Sequence, residues 1–149
     1  MTIIATNRQA HHHYELFDKY EAGIVLRGAE VKSLRESRVN LKDGFVRIVK
    51  GEAFLFNCHI SPYSHIQNMN TADPSRSRKL LLKKKEIARL SGQVSRKGHT
   101  IVPLSIYFKK GLAKVEIAVA RGKKEFDKRE TIRRKIALRE AQRAIKRRK

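Results

Sequence analysis

Side chains capable of covalent chemistry are few in this 149-residue chain, and their spacing does not assemble them. The one cysteine, Cys58, adjoins His59, but neighbours on a strand point to opposite faces, so thiol and imidazole do not pair as nucleophile and base. A packed cysteine is expected. His11-His12-His13 offers three nitrogen donors in a row, yet consecutive residues do not converge on one ion, and no second cluster has ligand spacing. Glu21 and Glu30 flank a glycine-containing stretch without anything to bring them together as an acid–base pair, so salt-bridging or hydrogen-bonding roles are expected of them. None of the eight glycines opens a Gly-Lys-Ser or Gly-Lys-Thr phosphate loop. The sequence therefore predicts no catalytic residue, no metal and no cofactor: the chain is not read as an enzyme.

Binding chemistry is far better represented. Lys and Arg number 35 against 14 Asp and Glu, for a net charge of +21 and a pI near 10.7. Such a chain repels itself unless a polyanion neutralises it, and nucleic acid is the commonest such partner; an anionic membrane surface or plain solubilising charge are the alternatives. Residues 121–149 carry 14 basic and 4 acidic side chains, hence ten of the net charges. Further upstream, Arg76-Ser77-Arg78-Lys79 and Lys83-Lys84-Lys85 bracket Leu80-Leu81-Leu82, a layout that offers phosphate contacts from an apolar anchor, or a solvated charge run beside a buried strand. His12, Tyr14 and Tyr20 lie near basic residues and are candidates to stack on unpaired bases. Phe126, inside Lys123-Lys124-Glu125-Phe126-Asp127-Lys128-Arg129, is either a base-stacking ring or a hydrophobic staple.

The elements that must position these groups follow from hydrophobic pattern. Ala113, Val115, Ile117 and Val119 alternate with Lys114 and Glu116, which is strand periodicity. Ile101 to Phe108 precedes it across a Lys109-Lys110-Gly111 turn, and Phe45 to Val49 with Ala53 to Asn57 forms a second hairpin across Lys50-Gly51-Glu52. Tyr14 to Phe17 and Ala22 to Leu26 read as two further strands. Short helices are expected at Ala29 to Glu36 and Lys83 to Leu90, and a loop at Pro62 to Ser75, rich in Ser, Asn, Asp and Pro. Five or six short strands with hairpin links and two helices imply a small closed or partly open β-barrel. At 40% hydrophobic residues, mean hydropathy −0.55 and no Trp, its core should be aliphatic with a little Phe and Tyr. No apolar run approaches the roughly 20 residues of a membrane helix, and the polar, His-rich start lacks a signal-peptide core, so a cytoplasmic, reducing location is expected.

Composition breaks near Gly122. Asp127 and Glu130 fit a helix capping box, but the stripes Ile132/Ile136 and Leu138/Ala141/Ile145 are too narrow for a core-packed helix. A body over residues 1–122 and a basic tail over 123–149 are expected, the tail disordered when free and helical when a polyanion screens it, with a stable surface helix as the alternative.

Several of these residues occur in a series that resembles one family. Asn7-Arg8, Ala10-x-His12-x-Tyr14, Tyr20-Glu21-Ala22-Gly23, Gly28-Ala29-Glu30-Val31-Lys32-Ser33-Leu34-Arg35, Asn40-Leu41-x-Asp43, Gly51-Glu52, Arg76-x-Arg78-Lys79-Leu80-Leu81-Leu82 and Gly122-Lys123-Lys124-x-x-Asp127-Lys128-Arg129 are similar, in order and spacing, to the SmpB family, the tmRNA-binding proteins of bacterial trans-translation. The likeness spans about Asn7 to Arg129.

The resemblance implies an oligonucleotide-binding-type (OB-like) antiparallel barrel, mainly β, with two or three short helices and no enzymatic activity. It implies a body that grips the tRNA-like domain of tmRNA, travels with elongation factor Tu to stalled ribosomes, and places its tail in the empty mRNA channel at the small-subunit decoding centre. Positions matching the tmRNA-facing surface are Asn7, His12, Glu21, Lys32, Arg35, Leu81, Lys83 and Lys114. Those matching the decoding-centre contact are Lys123, Lys124, Phe126, Asp127, Lys128 and Arg129. Lysines and arginines would pair with phosphates, Asn7 and Glu21 would hydrogen-bond to RNA or hold the loop that does, and Leu81 would pack beneath a base or support the surface. Members often carry His where Phe126 stands, and an Asn can occur at the position of Lys83. Beyond Arg129 the match is in character only. Without the resemblance, a general structured-RNA-binding or ribosomal protein is the alternative.

Overall fold

In the computed structural model, which describes residues 1–62, 73–122 and Arg139, the elements run β1 (Thr2–Thr6), α1 (Arg8–His13), β2 (Tyr14–Ile24), α2 (Gly28–Arg35), β3 (Val39–Asn40), β4 (Phe45–Val49), β5 (Glu52–Phe56), β6 (His59–Ile60), β7 (Arg78–Leu81), α3 (Lys84–Val94), β8 (His99–Lys109) and β9 (Leu112–Gly122). The main sheet is antiparallel and ordered β1-β8-β4-β5-β7-β2-β9, with β8 also bonded to β9, so six strands close into a ring and β1 pairs with β8 along the stretch of its edge that β4 leaves free. Closure removes the exposed edges that an open sheet of this size would present. β3 and β6 form a separate two-stranded ribbon.

Period-two alternation decides which side chains fill the ring. On β9, Val115, Ile117 and Val119 turn inward with Ile101 and Ile106 of β8, Ala22 and Ile24 of β2, Leu55 of β5 and Leu80 of β7. Leu34 of α2 and Leu90 of α3, both fully buried, join the same core. Each such burial is worth about 1.5–3 kcal/mol, enough to fix both helices on the ring. A second, smaller core lies outside it, where Ala10 of α1 packs on Val102, Leu104, Ala118 and Ala120.

Two hairpin turns have the geometry that two-residue loops prefer. Lys50 and Gly51 (φ 51° and 77°) join β4 to β5, and Lys110 and Gly111 (φ 52° and 77°) join β8 to β9; positive φ at both central residues matches the right-handed twist of the strands. Pro103, which has no N–H to give a ladder, sits at the bulge where β8 slips between Pro103 and Ser105. A Cβ on Gly44 would meet Pro103 Cγ at 2.9 Å, so only glycine allows that approach.

Several sequence expectations are revised. The two strands expected at 14–17 and 22–26 are one, because a bulge between Leu16 and Lys19 breaks the alternation without breaking the pairing to β9. The His-rich start, without strand or helix periodicity of its own, forms β1 and α1 through contact with β8 and β9. The second expected helix continues to Val94. Most of the expected loop at 62–75 and the tail at 123–149, apart from Arg139, lie outside the described residues. The core is aliphatic as expected, but no described phenylalanine is buried: Tyr20 and Phe108 pack against the core only partly buried, and Tyr107, though buried, lies outside the core clusters.

Candidate nucleic-acid interface

Register brings three of the expected site residues into one patch. Gly23 on β2 lies opposite Leu81 of β7 on one side and Lys114 of β9 on the other, and Lys114 in turn lies opposite Tyr107 of β8. Directly opposed residues share a face, and the neighbours of this row (Ala22, Leu80, Val115, Ile106) fill the core, so the row faces outward. A Cβ on Gly23 would stand 3.2 Å from Leu81 Cβ. The missing side chain lets Leu81 lie across β2 with 55% of its surface exposed.

Glu21, two residues before Gly23, completes the patch. Its carboxylate accepts a hydrogen bond from the Tyr107 hydroxyl and one from Lys109 Nζ at 3.4 Å. The Tyr107 bond, aided by Lys109 and Lys114, holds the Glu21 carboxyl below its ordinary range, and burial together with Glu21 raises the Tyr107 phenol. Glu21 is thus an ionised acceptor at neutral pH, able to take a donor such as a ribose 2′-hydroxyl or a base amino group. Lys83 follows two residues beyond Leu81, at the start of α3, where its backbone N–H donates to Glu86 Oε1 at 3.0 Å; its side chain is exposed.

Lys32 and Arg35 project from α2, which Leu34 anchors. The Arg35 guanidinium lies 5.3 Å from the centre of the Phe108 ring, beside Tyr107 on β8, so α2 reaches the same end of the ring as the patch. Glu30 sets that placement. It accepts from the Arg27 backbone N–H at 2.9 Å, capping α2, and binds both Arg76 and Arg78 across to β7. Arg78 has no exposed surface and also donates to the carbonyls of Cys58 at 2.6 Å and Pro74 at 2.8 Å. Burial alone would raise the Glu30 carboxyl, but the hydrogen bonds from Arg76, Arg27 and Arg78 together outweigh it, and the group titrates below its usual range. Arg76 and Arg78, read from sequence as phosphate contacts, therefore serve the fold, and Lys79 is engaged with Glu52 at 3.5 Å.

Asn7 and His12 lie apart from the patch, at the start and in the last turn of α1. Asn7 is 5% exposed; its Nδ2 donates to Pro103 O at 2.9 Å and Leu41 O at 3.3 Å, so it holds α1 and the 41–44 turn to β8. His12 is exposed. Tyr20 packs against the core and donates to Gln93 Oε1 at 3.1 Å, which removes it from the stacking candidates. Lys123, Lys124, Phe126, Asp127, Lys128 and Arg129 fall outside the described residues.

Neither candidate for covalent chemistry gains support. Cys58 is buried in the link between β5 and β6 rather than on a strand, and desolvation pushes its thiol up to about 11; His59 beside it is exposed and meets Ser75 Oγ at 3.3 Å. Glu21 and Glu30 sit in separate hydrogen-bonded sets. Among the described residues no group of three or more His, Cys, Asp or Glu is placed to hold a metal, and no helix is long and apolar enough to cross a membrane.

Sequence reasoning missed Gly23, Tyr107 and Lys109 as parts of this patch. A glycine inside an alternating strand was the available signal, because it marks a close approach by another group; Tyr107 and Lys109 become legible only with the register.

Comparison with known proteins places the whole chain. The family model described as "SmpB protein" matches residues 4–147. An SsrA-binding protein of a Sulfurihydrogenibium species is 56% identical over 144 residues, covering 97% of this chain and 94% of that one. The SsrA-binding protein of Geobacillus kaustophilus is 53% identical over 146 residues, covering 98% and 94%. A solved chain described as "tmRNA-SmpB: a journey to the center of the bacterial ribosome" superposes with TM-score 0.68 at 50% identity, covering 80% of this chain and 84% of its own.

Proposed function

The chain belongs to the SmpB family, and from that membership we propose that it is a non-catalytic, cytoplasmic adaptor that binds the tRNA-like domain of tmRNA and brings it to stalled ribosomes for trans-translation. The observation that carries this reading is the outward row Leu81–Gly23–Lys114 with Glu21 beside it: an exposed apolar side chain, a cation and an ionised acceptor on rigid strands. Such a set offers apolar contact to a sugar or base, phosphate neutralisation and a hydrogen-bond acceptor together. Lys83, Lys32 and Arg35 extend it with phosphate contacts, His12 offers a further contact from α1, and Asn7 holds α1 in place.

In this account residues 1–122 form the tmRNA-binding body. Lys123, Lys124, Phe126, Asp127, Lys128 and Arg129 meet the decoding centre, and the rest of 123–149 enters the mRNA channel, where it becomes helical. Elongation factor Tu accompanies the complex. What supports the tail's assignment is its nine net charges, the capping residues and a family match that continues to residue 147.

Leu81→Ala tests the carrying observation. Its exposed side chain contributes little to the core, so thermal stability should stay close to that of the parent. Affinity for the tRNA-like domain should fall about tenfold, the value of one apolar side chain's remaining surface, as read by filter binding. An unchanged affinity would remove Leu81 from the interface. Gly23→Ala should act in the same direction, since the new methyl group must displace Leu81 by a few tenths of an ångström.

A further inference from the structure

Of the described phenylalanines, three share one surface. On β4 and β5 the core takes Val46, Ala53 and Leu55, which leaves Phe45, Phe54 and Phe56 on the outer face of the same hairpin, partly exposed. Phe45 and Phe56 stand directly opposite each other and stack, ring centres 5.4 Å apart at 13°. Arg47, opposite Phe54, holds its guanidinium 5.1 Å from the centre of the Phe45 ring. Phe45 also forms one wall of a cleft of about 290 Å³ under α1, whose other walls include Tyr14 and Lys42.

Rings left at the surface of a chain whose core is aliphatic cost burial without adding to that core. Flat rings interleaved with cations, on a protein of net charge +21, are complementary to unpaired bases on a phosphate backbone. We propose that the outer face of the β4–β5 hairpin, from Phe54 across the Phe45–Phe56 stack to the cleft beneath α1, is a second RNA-binding surface that stacks unpaired bases. Arg47 and Lys42 meet the phosphates, and Tyr14 closes the cleft. At its Phe54 end this surface adjoins the Leu81–Lys114 row, since Phe54 lies opposite Lys79, two residues before Leu81 on the outer face of β7; the Phe45–Phe56 stack and the cleft lie beyond that row.

The test uses the full chain and a short single-stranded oligouridine. On titration, the ring protons of Phe45, Phe54 and Phe56 should shift in NMR spectra. The double variant Phe45→Leu/Phe56→Leu keeps apolar bulk without rings and should bind the oligouridine about tenfold more weakly. Its affinity for the tRNA-like domain should stay at the parent level, which separates failure of this surface from failure of the first. Arg47→Gln, at an exposed position, should reduce the log–log salt slope by about 0.7. If the double variant loses spectral dispersion, that slope decides alone. Shifts confined to the Leu81–Lys114 row, or an unchanged slope in Arg47→Gln, would overturn the proposal. So would hairpin signals that broaden with protein concentration in the absence of RNA, which would make the face a contact between copies of this chain.

Discussion

A chain ended after Gly122 is expected to bind the tRNA-like domain of tmRNA nearly as well as the whole protein while supporting no peptide tagging on stalled ribosomes. The row from Leu81 to Lys114, Glu21, and the α2 cations all lie before that point, on elements anchored by the ring's own core. What truncation removes is nine net positive charges. Their pull on a distant phosphate is screened beyond about 8 Å at physiological salt, so the loss in affinity should stay within about tenfold and shrink as salt rises. Tagging requires in addition the contacts assigned to Lys123, Lys124, Phe126, Asp127, Lys128 and Arg129, and the truncated chain has none of them. A binding titration paired with a reconstituted tagging assay checks both halves. Loss of both activities together would contradict the division into body and tail.

Glu30→Gln should be the most destabilising single substitution near the interface. The carboxylate caps α2 through the Arg27 N–H and neutralises Arg78, which has no exposed surface. Replacing it by a neutral amide leaves a buried guanidinium without its counter-charge, a change that typically costs about 3–5 kcal/mol. For a protein of this size that corresponds to a fall in Tm of roughly 6–20 °C. The double variant Glu30→Gln/Arg78→Met removes the stranded charge and should recover much of the loss, which distinguishes a buried-charge effect from a capping effect. The pH dependence has a definite sign. Because the folded-state carboxyl titrates below its ordinary value, its contribution is complete above the unfolded-state pKa and disappears as pH falls through the lowered folded value. The parent should therefore lose stability on acidification in that window, and Glu30→Gln should lose less. RNA affinity of the refolded variant should also fall, since Glu30 ties the helix carrying Lys32 and Arg35 to the strand carrying Leu81.

Strand alternation makes the β4–β5 and β8–β9 hairpins readable from the residue pattern, because inward and outward positions along them differ in character and their turns carry Lys-Gly pairs suited to positive φ. β7 is hidden from that pattern. Its Leu80 and Leu81 are alike in sequence, yet one fills the core and the other is 55% exposed, because consecutive strand residues face opposite sides and residue type does not say which side is inward. Arg78 misleads for a related reason: a basic run looks solvated until a carboxylate 48 positions away, on α2, is seen to neutralise it. α1 and β1 have no pattern of their own and exist through the outer cluster around Ala10 and the ladder to β8. For the interface, charge points to a polyanion and the motif series to particular positions, but neither shows that Glu21, Leu81 and Lys114 share a face while Asn7 points inward.

The central claim is that this fold recognises one RNA shape and not merely phosphate. It is tested most directly by competing the tRNA-like domain of tmRNA against an elongator tRNA and a single-stranded oligonucleotide over a salt series. Binding by charge alone falls with a log–log slope of roughly 0.7–0.9 per phosphate neutralised, and it falls for all three ligands alike. The account predicts that the tRNA-like domain keeps its advantage, or widens it, as salt rises, because the contacts of Leu81 and Glu21 are not screened away. Convergence of the three affinities at high salt would contradict it and leave a general RNA-binding protein as the better description.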